Sequence, residues 1–231
     1  RESEGRYRTL VDHAPEVIVV FDADTMRFID VNQNAERFFK MTRTQLLEAG
    51  PEQLSPPTQA DGLPSAGPAR GNVDRALEGT PQIFEWIHRD ALGNDIPCEV
   101  RLVRLPDSQR PVIRGSITDI TERITTAMVL GILEFRSSAL PALMMSDPDL
   151  MVPLLAASSG PLLVAARAQL ASMAAGINGD REPEIDLAIA ETLLRLAISL
   201  AQIPESVLLS PTGNHSLLRT VVGAVLGIHP R

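Results

Sequence analysis

The run Ser116-Ile117-Thr118-Asp119-Ile120-Thr121-Glu122-Arg123 constrains this chain more than any other, because it ends a strand pattern and starts a helix with one device. Upstream, Val112, Ile113, Ile117 and Ile120 read as an apolar strand. Asp119 then stands where a carboxylate accepts hydrogen bonds from the first free N–H groups of a helix. Arg123 lies one helical turn further on, within ion-pair reach of it. A sheet ends here and a helix begins with no loop between them.

The two sides of that junction differ in chemistry. Residues 1–123 hold 15 Lys/Arg and 20 Asp/Glu, whereas residues 124–231 hold only 6 and 9. Phe135 is the only aromatic residue after the junction. A mixed, charge-rich half followed by an aliphatic half of Leu, Ala, Ile and Val implies two cores, divided as 1–123 and 124–231. The formal net charge of −8 and the lack of a basic patch argue against a nucleic-acid backbone as a partner for this chain alone. Cys98 is the single cysteine, which excludes an internal disulfide and fits a reducing cytoplasm. Asp147, Asp149, Arg167, Glu191 and Arg195 interrupt every candidate membrane span. The sequence opens on Arg1, so it is expected to be an excised segment, and no targeting signal is read from that end.

Along the first half, Tyr7–Val11 fits a short lead-in helix stopped by Pro15. Val17–Phe21 and Arg27–Val31 read as strands around the turn Asp22–Thr25. Asn32 or Asn34 is placed to cap a helix over 35–40, and Thr42 opens another that ends at Gly50. Pro51, Pro56, Pro57, Pro64 and Pro68 mark a loop over 51–68, followed by a short helix over 72–78. Three strands finish the half, over 82–89, 96–105 and 111–119, with Asp90–Asp95 making the hairpin between the first two. The expected fold class is α+β: a five-stranded antiparallel sheet with short helices on one face, then an all-α bundle.

Asn32-x-x-Ala35, Phe84-Glu85-Trp86, Gly93-Asn94-Asp95-Ile96-Pro97 and the Asp119-Ile-Thr-x-Arg123 ending together resemble a PAS sensor domain over about 110 residues. The resemblance implies that the sheet and short helices enclose a small, ligand-sized cavity. It also implies that Asp119, Thr121 and Arg123 couple the sheet to the output that follows, and that the domain pairs with another sensor. Phe28, Phe38, Phe39, Phe84 and Trp86 are the candidate pocket residues, although the same side chains can simply fill the core. A thiol-flavin photosensor of this superfamily needs a Cys on the helices within 35–50, and a haem sensor a His on the helix within 70–79. Neither is present, so no cofactor is expected. Cys98 reads as a small core residue, His88 as a solvated strand residue among polar neighbours, and His13 as a turn residue.

The second half reads as five or six helices, including Ile124–Phe135, Leu150–Ala156, Leu162–Ala175, a long one from Pro183 to about Gln202, and a last one capped by Asn214. The first of these is apolar almost all round and is expected to be buried on most sides. The run Leu143–Leu155 with Gly160–Leu163, and Leu193–Leu200 followed by Pro204-Glu205-Ser206, resembles the C-terminal regulatory region of TetR-type repressors over about 100 residues. That resemblance implies dimerisation through the last two helices and room for a small apolar effector. The basic helix-turn-helix of that family is absent, so DNA binding does not carry over to this chain. Because this order of halves departs from the usual one, a natural gene product and a spliced or artificial fusion both stay open. Leu187, Ala190, Leu194 and Ala197 on the long helix, with Val221 and Val222 on the last, form the expected homodimer interface.

Acid pairs such as Asp22/Asp24 and Asp147/Asp149 sit at turns or helix starts, where carboxylates complement the helix N-terminus, so they are read as caps and not as metal or acid–base sites. Met144, Met145, Met151 and Met173 either pack a core or line an adaptable pocket. No phosphate-binding loop, nucleophile elbow or kinase signature appears. The expected function is regulatory and non-catalytic: a cytoplasmic homodimeric sensor joined to a helical ligand-binding domain. The alternative is the sensory segment of a larger signalling enzyme such as a histidine kinase or phosphatase.

Overall fold

The computed structural model describes residues 11, 14, 16–106, 110–139, 141–142, 146, 161–175, 182–203, 206–209 and 215–228. The chain divides between Asp119 and Ile120 into two units, each with its own core. The division drawn from composition at 123/124 falls inside the first helix of the second unit.

The first unit runs β1 (Val17–Asp22), β2 (Arg27–Val31), α1 (Gln33–Phe39), α2 (Arg43–Leu47), α3 (Ala66–Leu77), β3 (Gln82–Arg89), β4 (Asp95–Arg104) and β5 (Val112–Asp119). The strands form one antiparallel sheet in the order β2-β1-β5-β4-β3. All six residues of β1 are buried, as its unbroken Val-Ile-Val-Val-Phe run requires of a strand next to the sheet centre. β3, at the edge, buries only alternate positions in its second half.

The turns follow local chemistry. Asp22 accepts hydrogen bonds from the backbone N–H groups of Asp24 and Thr25 at 3.0 and 2.9 Å, closing the β1–β2 connection. Asp90 does the same for Leu92 and Asn94 in the β3–β4 hairpin, both at 2.9 Å, and Lys40 donates to it at 2.6 Å. Gly93 takes φ +85° there, a conformation that a side chain would strain. Asn32 caps α1 as expected, and Thr42 with Gln45 forms a reciprocal capping box on α2. That helix ends at Leu47, short of Gly50, because Gly50 must approach Met26 closely. A Cβ at position 50 would lie 1.9 Å from the Met26 carbonyl oxygen.

The next helix departs further from expectation. The third helix begins at Ala66, inside the stretch assigned to loop by its prolines, and not near Asn72. Pro68 occupies its first turn, where the missing N–H has no intrahelical acceptor to lose, so proline is tolerated. The loop that remains, 51–65, covers the exposed edge of β3. The Gln59 side chain accepts from the Ile87 N–H at 2.7 Å, and the Leu54 carbonyl accepts from the Arg89 N–H at 2.8 Å. These bonds satisfy edge groups that otherwise template pairing with another chain.

The second unit holds α4 (Ile120–Ser137), α5 (Pro161–Ala174), α6 (Pro183–Gln202) and α7 (Ser216–Val225) among the described residues. Ile124, Ile132, Leu193, Leu218, Val222 and Leu226 are fully buried at its centre. α4 is not buried on most sides: Ile120, Ile124, Met128 and Ile132 face the core at helical spacing, while Leu130 and Leu133 on the other side are more than half exposed. Arg136 donates to the carbonyls of Leu200 (2.6 Å) and Ala201 (3.2 Å), meeting the unsatisfied C-terminal end of α6 with a cation. Arg195 pairs with Glu191 at 2.6 Å, one turn apart in the order read from the sequence. That pair, with Arg167 at 3.5 Å, holds the Glu191 carboxyl below its ordinary range. Asn214, the expected cap of α7, lies outside the described residues, and His215 stands at the cap position without a side-chain bond. Residues 143–145 and 147–160, which carried part of the TetR resemblance, the helix read over 150–156, residues 7–10 and His13 also lie outside them.

Candidate functional site

A cavity of about 40 Å³ lies within the first unit, between the inner face of the sheet and the helices. Each strand sends alternate residues into its wall, as the period of two demands. Phe21 comes from β1, Phe28 from β2, Val100 and Leu102 from β4, and Gly115 and Ile117 from β5. Ala69 and Val73 of α3 close the opposite side. Gly115 keeps the floor open: a Cβ there would stand 3.0 Å from a Val19 methyl and 3.5 Å from a Leu102 methyl.

β3 supplies Phe84, Trp86 and His88, three residues two apart and therefore on one face. The Trp86 indole N–H donates to Ser55 Oγ at 2.9 Å, which uses its one polar group. Phe84 meets Trp86 edge to face, with centroids 5.9 Å apart. His88 is 6% exposed, not solvated as its polar neighbours Arg89 and Asp90 suggested. Its ring packs edge-on to Phe39 at 5.5 Å, and Nδ1 lies 3.1 Å from the Leu54 carbonyl oxygen. Burial lowers its pKa from 6.5 to about 4, against the opposing effect of the Leu54 bond, so the ring is neutral at pH 7. The alternation from Phe84 and Trp86 was the signal that places His88 inside. The polar character of Arg89, which faces the other way, and of Asp90 just past the strand masked it.

Of the five candidate pocket residues, Phe28, Phe84 and Trp86 line the cavity. Phe38 and Phe39 do not: they stack edge to face at 4.8 Å on α1, with Phe39 fully buried in the core. Cys98 is buried on β4 opposite Trp86. Among the described residues no group of three or more His, Cys, Asp or Glu could hold a metal ion, and no helix is long and apolar enough to cross a membrane.

The three residues expected to couple sheet and output sit at the junction. Asp119 is the last residue of β5 and Ile120 the first of α4, so strand passes into helix at the position read from sequence. Thr121 is buried, its carbonyl accepting from Thr125 Oγ1 at 2.8 Å, and Arg123 follows in the same turn of helix. The six expected interface residues separate. Ala190 and Val222 are wholly buried in their own unit's core and face no partner, because the core-facing stripe of α6 runs through Asp186, Ala190, Leu193 and Leu200. Leu187 is exposed, and Leu194, Ala197 and Val221 are half-buried.

Residues 11–125 match the family model described as the PAS fold. Among solved structures, a domain of a sensory box sensor histidine kinase/response regulator from Geobacter sulfurreducens is similar at 26% identity and a TM-score of 0.43, over 51% of this chain and 94% of that one. The PAS domain of a protein from Colwellia psychrerythraea is similar at 21% identity and a TM-score of 0.45, over 53% and 99%. The PAS domain of an HTR-like protein from Haloarcula marismortui gives 19% and 0.43, over 51% and 92%. No curated protein matches the chain. The family match spans all five strands, the short helices and the junction, and residues 11–125 of this chain are a PAS domain.

Proposed function

We propose that the chain is a non-catalytic signalling regulator in which the PAS cavity takes a small apolar ligand and the Asp119–Arg123 junction passes its occupancy to the helical unit. The observation that carries this reading is an apolar cavity in the same sheet whose β5 continues directly into α4. Residue types at the cavity supply neither a thiol adduct nor a metal ligand set, so the reading is of reversible binding. The helical unit is read as a counterpart of the TetR C-terminal regulatory region, giving a role in transcriptional regulation or signal transduction. The acidic balance of −8 supports a role without direct DNA contact by this chain, and the lone buried thiol of Cys98 supports a cytoplasmic setting.

Hydrogen exchange tests the coupling. A small apolar alcohol that fills the cavity should slow or speed amide exchange in α4, and Asp119→Ala should reduce that response. Ala69→Phe, which places a ring at the cavity wall, should abolish binding while the fold persists. Cavity filling with unchanged exchange in α4 would end the sensor reading.

Homodimerisation is the second part of the proposal. It rests on apolar side chains left exposed on α6 and α7, Ile185, Leu187 and Leu217. Sedimentation should give a dimer at micromolar concentration, and Leu187→Glu should shift it to a folded monomer. A folded monomer for the parent chain would refute the interface.

A further inference from the structure

His88 adds a chemical requirement to the cavity that its apolar walls do not, and the inference rests on the reading of the cavity as a ligand site. The Leu54 carbonyl can only accept, so the ring nitrogen 3.1 Å from it, Nδ1, carries the proton. The same carbonyl also accepts from the Arg89 N–H at 2.8 Å, so two bonds from adjacent residues of β3 fix it in place. With the proton on Nδ1 and the ring neutral, Nε2 presents a lone pair and nothing else. That atom is buried and has no hydrogen-bond partner within the protein. An unmet buried acceptor is costly, and native structures satisfy nearly all such groups. The other polar side chain of the wall, Trp86, has its N–H committed to Ser55. His88 is therefore the lining residue that holds an unmet strong acceptor, beside the weak thioether acceptor of Met26.

We infer that the cavity selects a small apolar molecule bearing one hydrogen-bond donor, an alcohol-type hydroxyl, which donates to His88 Nε2. Size sets the scale. A cavity of about 40 Å³ has room for roughly three waters at about 10–15 Å³ each, so the occupant is a molecule of a few non-hydrogen atoms. Acceptor-only molecules of the same size, such as ethers, would bury a second lone pair against the first.

Ethanol and dimethyl ether, which share one formula and have three non-hydrogen atoms each, separate these cases on the full chain. Binding is followed by the shifts of cavity-lining methyls, and the His88 ring by its nitrogen resonances. The alcohol should bind at least tenfold tighter than the ether and move the Nε2 resonance toward that of a hydrogen-bonded nitrogen, while the ether leaves it in place. In His88→Phe the preference should fall to near unity. Equal affinity for the two probes, or an unmoved Nε2 on alcohol binding, overturns the inference and leaves the cavity reading intact. Failure of both probes to shift any lining methyl overturns the cavity reading and the inference with it. An ether preference shows that Nε2 carries the proton and also overturns it. The ring nitrogen is read in the parent protein, so the outcome does not depend on the variant folding.

Discussion

Asn32→Ala is expected to lower the stability of the PAS domain by about 2–5 kcal/mol. Asn32 is fully buried, and its amide serves four backbone groups at once. Its Oδ1 accepts from the N–H of Ile18 at 3.1 Å and of Ala35 at 3.0 Å, while Nδ2 donates to the carbonyls of Val11 at 3.1 Å and Glu16 at 2.9 Å. One side chain thus caps α1, anchors the start of β1 and holds the segment that precedes it. Alanine removes the cap, worth about 1 kcal/mol, and strands the buried Ile18 N–H, which alone costs about 1–3 kcal/mol. Trp86 is the chain's only tryptophan, so its fluorescence in a denaturant titration reports on this domain. A midpoint change worth less than about 0.5 kcal/mol, with the slope unchanged, would show that the four bonds are replaced by water.

The second large effect is acid sensitivity traced to His88. Its folded pKa lies near 4 and its ordinary value is 6.5, so between these the unfolded chain binds a proton that the folded domain refuses. Above pH 6.5 both states are neutral at this ring and nothing is lost. As pH falls from 6.5 toward 4 the domain should lose about 1.4 kcal/mol per pH unit, approaching about 3 kcal/mol. The ring's neighbours are the Phe39 ring, the Leu54 carbonyl and the apolar cavity wall, and burial outweighs the Leu54 bond. Two structured carboxyls titrate elsewhere. Asp22 is held below its ordinary 3.8 chiefly by the Thr25 N–H. Burial raises Asp90, but the Asn94, Lys40 and Leu92 donors outweigh it and bring it below 3.8. Both contribute stability that disappears only at lower pH. Stability curves at pH 7 and pH 4.5 for the parent and His88→Phe test this: the parent should weaken and the variant should hold. Parallel losses in the two would assign the acid sensitivity to other groups.

Much of the first domain was legible because its elements are specified locally. The all-apolar run at β1, the alternation along β3, the Asp-led turns and the Asn32 and Thr42 caps each act within a few residues of sequence, so spacing and residue type were enough to place them. The junction at Asp119 was readable for the same reason. What eluded reading required partners distant in the chain. Pro68 looked like a breaker, yet it sits in a helix whose buried Val73 and Ala76 pack into the sheet's core. Phe38 and Phe39 look like Phe84 and Trp86 in a list of aromatics, but α1 turns them into core packing while the sheet aims the other pair at the cavity.

The helical unit separates the two kinds of information more sharply. The length and ends of α6 were set by Pro183 and by the continuous run of good helix formers behind it, so the sequence alone determined that element. Which of its faces is buried was not determined there, because apolar residues cover both sides and periodicity cannot choose between two apolar stripes. Packing against α4, α5 and α7 chose the stripe through Ala190 and Leu193, leaving Ile185 and Leu187 outside. His88 is the same lesson at a single residue. Its strand and register follow from local pattern, but its charge state and free acceptor come from the Leu54 carbonyl, 34 residues away, and the apolar wall that removes water from the ring. Hydrogen-bonding propensity and hydrophobic period act along the chain, whereas desolvation is a property of what the fold brings around an atom, and only the tertiary structure sets it.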